Sequence, residues 1–149
     1  MPDKSSISSI RFHYLKRSDY PRNKRKLAAF LRLLFKKEQT PLRSLTYIFC
    51  TDEYLLGINQ QFLKHDYYTD IISFNLAPNR APVEGEIYIS LDRVRENAKE
   101  LNQYYYTELH RVIFHGALHL CGYKDKLKEE KLTMRMMEDR YLNLYFSQK

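Results

Sequence analysis

The chain has 149 residues, 44% of them hydrophobic and 29% charged, a balance that excludes intrinsic disorder and predicts one domain over 1-149, since about 100 to 200 residues usually bury a single core. Its 25 Lys and Arg against 18 Asp and Glu give a net charge of +7, which favours polyanionic partners. No apolar run approaches the ~18 residues of a membrane span, and two lone thiols, Cys50 and Cys121, point to a reducing compartment, so a cytoplasmic location without a membrane partner is expected.

Taken in chain order, Ser8 to Tyr14 alternates Ile10, Phe12 and Tyr14 against polar neighbours and reads as a strand. Pro21 sits near a helix start, after which Leu27, Phe30, Leu31, Leu34 and Phe35 form one apolar stripe. The opposite face is basic. Residues 11 to 37 hold ten Lys and Arg (Arg11, Lys16, Arg17, Arg22, Lys24, Arg25, Lys26, Arg32, Lys36, Lys37) against the single acid Asp19. Such a block is either a solvated helix face or a phosphate-binding one.

Residues 43 to 50 form a second strand, and Thr51 followed by Asp52 and Glu53 has the pattern of an N-cap with acids in the first turn of a helix running to about Phe62. Asp70 to Asn75 and Gly85 to Ser90 are β-rich runs around a turn-prone stretch with Pro78, Asn79 and Pro82, which predicts neighbouring strands. Leu91, Val94 and Ala98 then share a helical face, with a break near Asn102. Thr107 to Leu120 carries Leu109, Val112, Ile113 and Leu118 at helical intervals, and Gly122 offers the left-handed residue that ends many helices. A last helix places Leu127, Met134, Met137, Tyr141 and Leu144 on one core-facing stripe. Strands early and helices late predict an α+β domain: a small mixed sheet of about four strands packed with helices.

The chemistry concentrates on the helix in the C-terminal half. His115 and His119 are four residues apart, so they project from one helix face and can share a metal ion. Gly116 permits close approach of that helix to a neighbour, and Asp125, six residues after His119, is placed to be a third ligand. Two imidazoles and one carboxylate leave a coordination position open, as in catalytic rather than structural zinc sites. The H-E-x-x-H helix of metallopeptidases carries its general base directly after the first His; here that position is Gly116, which argues against a peptidase.

The segment HGALHLCGYKD, His115 to Asp125, resembles the H-G-x-L-H-L-x-G-Y-D-H signature of the YbeY family of bacterial rRNA-maturation endoribonucleases. NQQFLKHDYYTDIISF, Asn59 to Phe74, is similar to that family's N-x-x-[FY]-R-x-K-D-x-P-T-D-V-L-S-F stretch, and GEIYIS, Gly85 to Ser90, to its G-D-I-x-I-S strand. The resemblance covers most of residues 45 to 125. It implies a metal-dependent endoribonuclease with one Zn2+ per chain, held by His115, His119 and Asp125 as ligands and catalytic residues. It further implies RNA as substrate, specifically the 3′ end of small-subunit rRNA, and a part in ribosome quality control.

Two positions depart from the family pattern. Asp125 stands where the family has a third His, a change that keeps a usable zinc ligand while altering affinity and metal preference. Leu63 stands where the family has an Arg expected to help hold phosphate, and Lys64 is the nearest substitute in sequence, though without the guanidinium fork. Lys64 and Ser73 are therefore the expected substrate-binding residues. Asp66, Thr69 and Asp70 are expected to line the site or to cap turns. His13, His65 and His110 have no ligand spacing to the pair, Cys121 falls on another helix face and reads as core, and Tyr104, Tyr105 and Tyr106 either stack on bases or pack at a helix start. The proton could be moved with no protein base, by Asp125, or by a substrate 2′-hydroxyl. Other readings are a ribosome-associated RNA-binding protein with a structural metal, and a metal hydrolase of another substrate class.

Overall fold

A computed structural model describes residues 7–15, 20–65 and 69–147; Lys16, Arg17, Asp19 and Asp66 lie outside the described residues. The elements follow in the order β1 (Ser9–Tyr14), α1 (Lys24–Lys37), β2 (Leu42–Cys50), α2 (Asp52–Leu63), β3 (Ile71–Asn75), β4 (Val83–Ser90), α3 (Leu91–Glu100), α4 (Tyr105–Leu120) and α5 (Lys128–Ser147). The strands form one mixed sheet in the order β1-β2-β4-β3. β1 and β4 each run parallel to β2, and β3 is antiparallel to β4 with Ser73 opposite Ile87. The architecture is α+β: β3 makes the sheet mixed, and three helices follow the last strand.

Local chemistry sets the element ends. Asn23, at φ 53°, caps α1 by accepting from the Lys26 amide at 3.2 Å, so the helix starts three residues after Pro21 rather than at it. Thr51 caps α2 through the Tyr54 amide at 3.2 Å, and Ser90 caps α3 through the Arg93 amide at 3.2 Å. α4 ends in a Schellman turn: Gly122, at φ 105°, bonds the His119 carbonyl, and the Tyr123 amide bonds the Leu118 carbonyl, both at 3.0 Å. That turn sends the chain back along α4.

The main core lies between one sheet face and helices α1, α4 and α5. Leu45, Tyr47, Phe49, Ile87 and Ile89 meet Leu27, Phe30, Leu31 and Phe35 of α1 and Ile113, Phe114 and Ala117 of α4, all buried. Full burial of each such large apolar side chain contributes about 1.5 to 3 kcal/mol, so the stripe on α1 is enough to dock its basic face outward. Tyr47 pins α4 to the sheet by donating its buried hydroxyl to the Ile113 carbonyl at 2.7 Å. A smaller cluster, Cys50, Leu55 and Ile72, is closed by α2.

The stripe expected on the last helix needs one correction. Leu127 precedes α5 and is 64% exposed, because Glu130 reaches back to accept from the Lys126 and Leu127 amides at 3.2 and 2.8 Å and makes this segment the helix cap. Met134, Met137 and Tyr141 are buried as expected, and Leu144 is half-buried. Tyr105 and Tyr106 pack against the core, with the Arg22 guanidinium 4.4 Å from the Tyr106 ring, whereas Tyr104 is exposed.

Candidate metal centre and active site

α4 crosses the sheet at close range because Gly116 lets it. A Cβ at that position would lie 2.8 Å from Ile71 Cδ1 and 3.0 Å from two Ile87 side-chain atoms. One residue before and three after this contact, His115 and His119 leave the helix on the same side, their rings 4.7 Å apart. The Schellman turn at Gly122 then returns Asp125 to them. Nε2 of His115 and Nε2 of His119 each lie 3.2 Å from the same oxygen, Asp125 Oδ2. The three donor atoms lie within 4.8 Å of one another.

The orientation of His115 comes from α5. Its Nδ1 donates to Glu138 Oε2 at 2.6 Å, and the other Glu138 oxygen accepts from Arg111 Nη1 at 3.0 Å. Arg111 also donates to Asp139 at 2.7 Å and has Glu108 at 3.9 Å, with its side chain only 13% exposed. With Nδ1–H committed to Glu138, the Nε2 of His115 carries a lone pair aimed at a carboxylate oxygen. Two lone pairs at that distance repel unless a proton or a metal cation lies between them. The donor set therefore fits a divalent ion of the zinc type, which takes imidazole nitrogen and carboxylate oxygen together.

The charges agree. Burial opposes protonation of His115, but the Glu138 hydrogen bond and the charges of Glu138, Asp125 and Asp70 outweigh it and raise its pKa above the usual histidine value. Burial holds the Asp70 and Glu108 carboxyls above the ordinary carboxylate range, against the pull of His115 on the first and Arg111 on the second. The Cys121 thiol is pushed up to about 12 by burial and is unsuited to metal binding at neutral pH.

The cluster opens into a cleft of about 780 Å³ between α4, α5, the end of α2 and β3. Ser73 lines it, on the side of β3 shared with Ile71, and so do Thr69 and Asp70. Lys64 is exposed and caps α2 at φ 55°; its neighbours Leu63 and His65 line the cleft and Lys64 does not. His110 is buried away from the cluster, donating Nδ1–H to the Tyr106 carbonyl at 2.6 Å.

Sequence reasoning missed Arg111 and Glu138. Arg111 is one helical turn before His115, so the spacing that paired the histidines also placed it on their face. Glu138 was legible as an acid inside the apolar stripe, between Met137 and Tyr141; nothing in the chain said which residue it would meet.

An α+β frame that presents two imidazoles and a carboxylate to an open cleft is of the kind from which metal-dependent hydrolases are built. The family model described as Endoribonuclease YbeY matches residues 13–145, and this chain belongs to the YbeY endoribonuclease family. A relative named Endoribonuclease YbeY from Cytophaga hutchinsonii is 49% identical over 123 residues, 83% of this chain and 86% of its own. The protein of the same name from Flavobacterium psychrophilum is 52% identical over 101 residues, 68% of this chain and 71% of its own. A solution structure of a Thermotoga maritima protein superposes with a TM-score of 0.61 at 27% identity, covering 95% of this chain and 90% of that one.

Proposed function

We propose that this protein is a zinc-dependent, single-strand-specific endoribonuclease of rRNA processing, acting at the 3′ end of small-subunit rRNA and in ribosome quality control. It works in the cytoplasm as one catalytic domain over 1-149 with one Zn2+ per chain. The observation that carries this reading is the convergence of His115 Nε2 and His119 Nε2 on Asp125 Oδ2, at an open cleft in a chain of the YbeY family. Among the described residues no helix is long and apolar enough to cross a membrane.

His115, His119 and Asp125 would hold the ion. Bound there, zinc supplies a Lewis acid for a phosphate oxygen and acidifies a water. Glu138 keeps the Nδ1 proton on His115 and so fixes the tautomer that offers Nε2. Arg111 in turn fixes Glu138 and offsets its buried charge. Ser73 presents a half-buried hydroxyl to the cleft, suited to hydrogen-bond the bound RNA, and Lys64 stands beside the cleft between Leu63 and His65 as the second substrate-binding residue. Because Gly116 carries no carboxylate beside the first ligand, the reaction runs with no protein base, or with Asp125 or the substrate's own 2′-hydroxyl taking part in the proton transfer.

The test is metal analysis of the purified protein coupled to cleavage of ribosomal RNA. The wild type is expected to carry zinc and cut single-stranded segments. His119→Ala should lose both while its circular dichroism spectrum and RNA affinity persist. Cleavage retained by His119→Ala would overturn the proposal, and collapse of its fold would assign the metal a structural role.

A further inference from the structure

The lysines and arginines that line the cleft all lie on one side of it, together with the acids Glu108, Asp125 and Glu138. Among the described lining residues, the wall made by the end of α2, the following segment and β3 carries no Lys or Arg; it presents Leu63, Thr69, Asp70, Ile71 and Ser73. Every lining Lys or Arg comes from the other side: Arg111 on α4, Lys126 in the turn before α5, and Arg135 on α5. Arg111 is neutralised, since Glu138, Asp139 and Glu108 surround its guanidinium within 4 Å and the side chain is nearly enclosed. Lys126 and Arg135 differ. Both are exposed, and neither forms an ion pair among the described residues.

Their positions tie them to the metal cluster. Lys126 directly follows Asp125, and Arg135 lies one turn of α5 before Glu138, which holds His115. A phosphodiester strand crossing the cluster thus meets two exposed cations outside any ion pair on the α5 side, Arg135 acting at longer range on the Glu108 carboxyl. On the opposite side it meets apolar and hydroxyl surface, together with the Asn59 amide, the His65 imidazole and the Asp70 carboxyl. Phosphate follows the cations, and nucleosides are left for Leu63 and β3.

We propose that Lys126 and Arg135 are the phosphate-anchoring residues of this enzyme. They fix the direction in which single-stranded RNA lies in the cleft, backbone along α5 and bases against Leu63 and β3. The inference deepens the endoribonuclease reading and rests on it for the choice of ligand.

The experiment separates the two. Binding of an end-labelled, unstructured oligoribonucleotide is followed by fluorescence anisotropy against salt, in EDTA so that no turnover intervenes, and cleavage kinetics are measured on the zinc-loaded protein. Lys126→Ala and Arg135→Ala should each flatten the slope of log Kd against log salt by roughly 0.7, about fourfold weaker binding at physiological salt, and their combination should weaken it roughly fifteenfold. In kinetics these variants should raise KM more than they lower kcat. Leu63→Ala should weaken binding with the slope unchanged, and Lys131→Ala, exposed on α5 outside the cleft, should change neither. An unaltered slope in the double variant would overturn the anchoring proposal even if the wild type cleaves RNA. A wild type that binds RNA with the expected slope changes but never cleaves it would overturn the enzymatic reading and leave the anchoring intact.

Discussion

Replacing Glu138 with Gln tests how the metal site is built, because it keeps the side chain's shape and removes its charge. Glu138 is 5% exposed, with His115 Nδ1 at 2.6 Å from one oxygen and Arg111 Nη1 at 3.0 Å from the other. A glutamine has one acceptor oxygen, so either His115 or Arg111 must face an amide N–H. Loss of a carboxylate that orients a ligating histidine typically weakens metal binding 10- to 100-fold, about 1.4 to 2.7 kcal/mol. Arg111 keeps Asp139 at 2.7 Å, so the fold should lose only about 1.5 to 3 kcal/mol, the range for a hydrogen bond to a charged group. Zinc affinity measured by competition with a chromophoric chelator should fall by that factor. Nitrogen-detected NMR of the metal-free protein should show His115 losing its fixed Nδ1–H tautomer. Zinc affinity equal to wild type together with an unchanged tautomer would refute the orienting role of Glu138.

Further outcomes follow from other contacts. Asp125→Ala should abolish zinc binding at micromolar metal, whereas Asp125→His, which restores a third imidazole, should bind zinc at least as tightly as wild type; equal affinities for all three proteins would remove Asp125 from the ligand set. Gly116→Val should destabilise the protein by about 2 to 3 kcal/mol by urea unfolding, since its branched side chain meets Ile71 and Ile87, and should weaken zinc binding as α4 lifts. His110 is buried beside Tyr145 and Phe146, and burial, aided by the charge of Lys26 and opposed by the Tyr106 carbonyl, lowers its pKa below the ordinary value. A depressed folded-state pKa means its contribution to stability is present above about pH 6.5 and is lost as pH falls through the folded value. His110→Phe should therefore unfold at a urea midpoint that drops less between about pH 7.5 and about pH 5.5 than that of wild type; parallel drops would show that His110 does not titrate on unfolding.

What the chain determines on its own is whatever depends on near neighbours. The period-two strand β1, the apolar stripe of α1, the Thr51 cap and the Gly122 turn are local, because backbone conformation and side-chain direction follow from residues within about one helical turn. The pairing of His115 with His119 is legible for the same reason. Asp125 was within reach because a single tight turn separates it from α4, and Gly116 because the absence of a side chain is itself a message about packing.

Only the tertiary structure decided which distant residues meet those three. Glu138 is 23 residues from His115 in sequence and 2.6 Å from it in space, a contact set by how α5 packs on α4 and invisible to any periodicity. The same packing neutralises Arg111 while leaving Arg135 exposed, although both are arginines in amphipathic helices. Lys64, adjacent in sequence to the missing family arginine, is kept out of the cleft lining at the left-handed cap of α2, and the cleft's exposed cations, Lys126 and Arg135, come instead from residues 60 or more positions later. Ligand spacing is a property of one helix; the charge of a cleft is a sum over every element that forms its walls, and only folding brings those walls together.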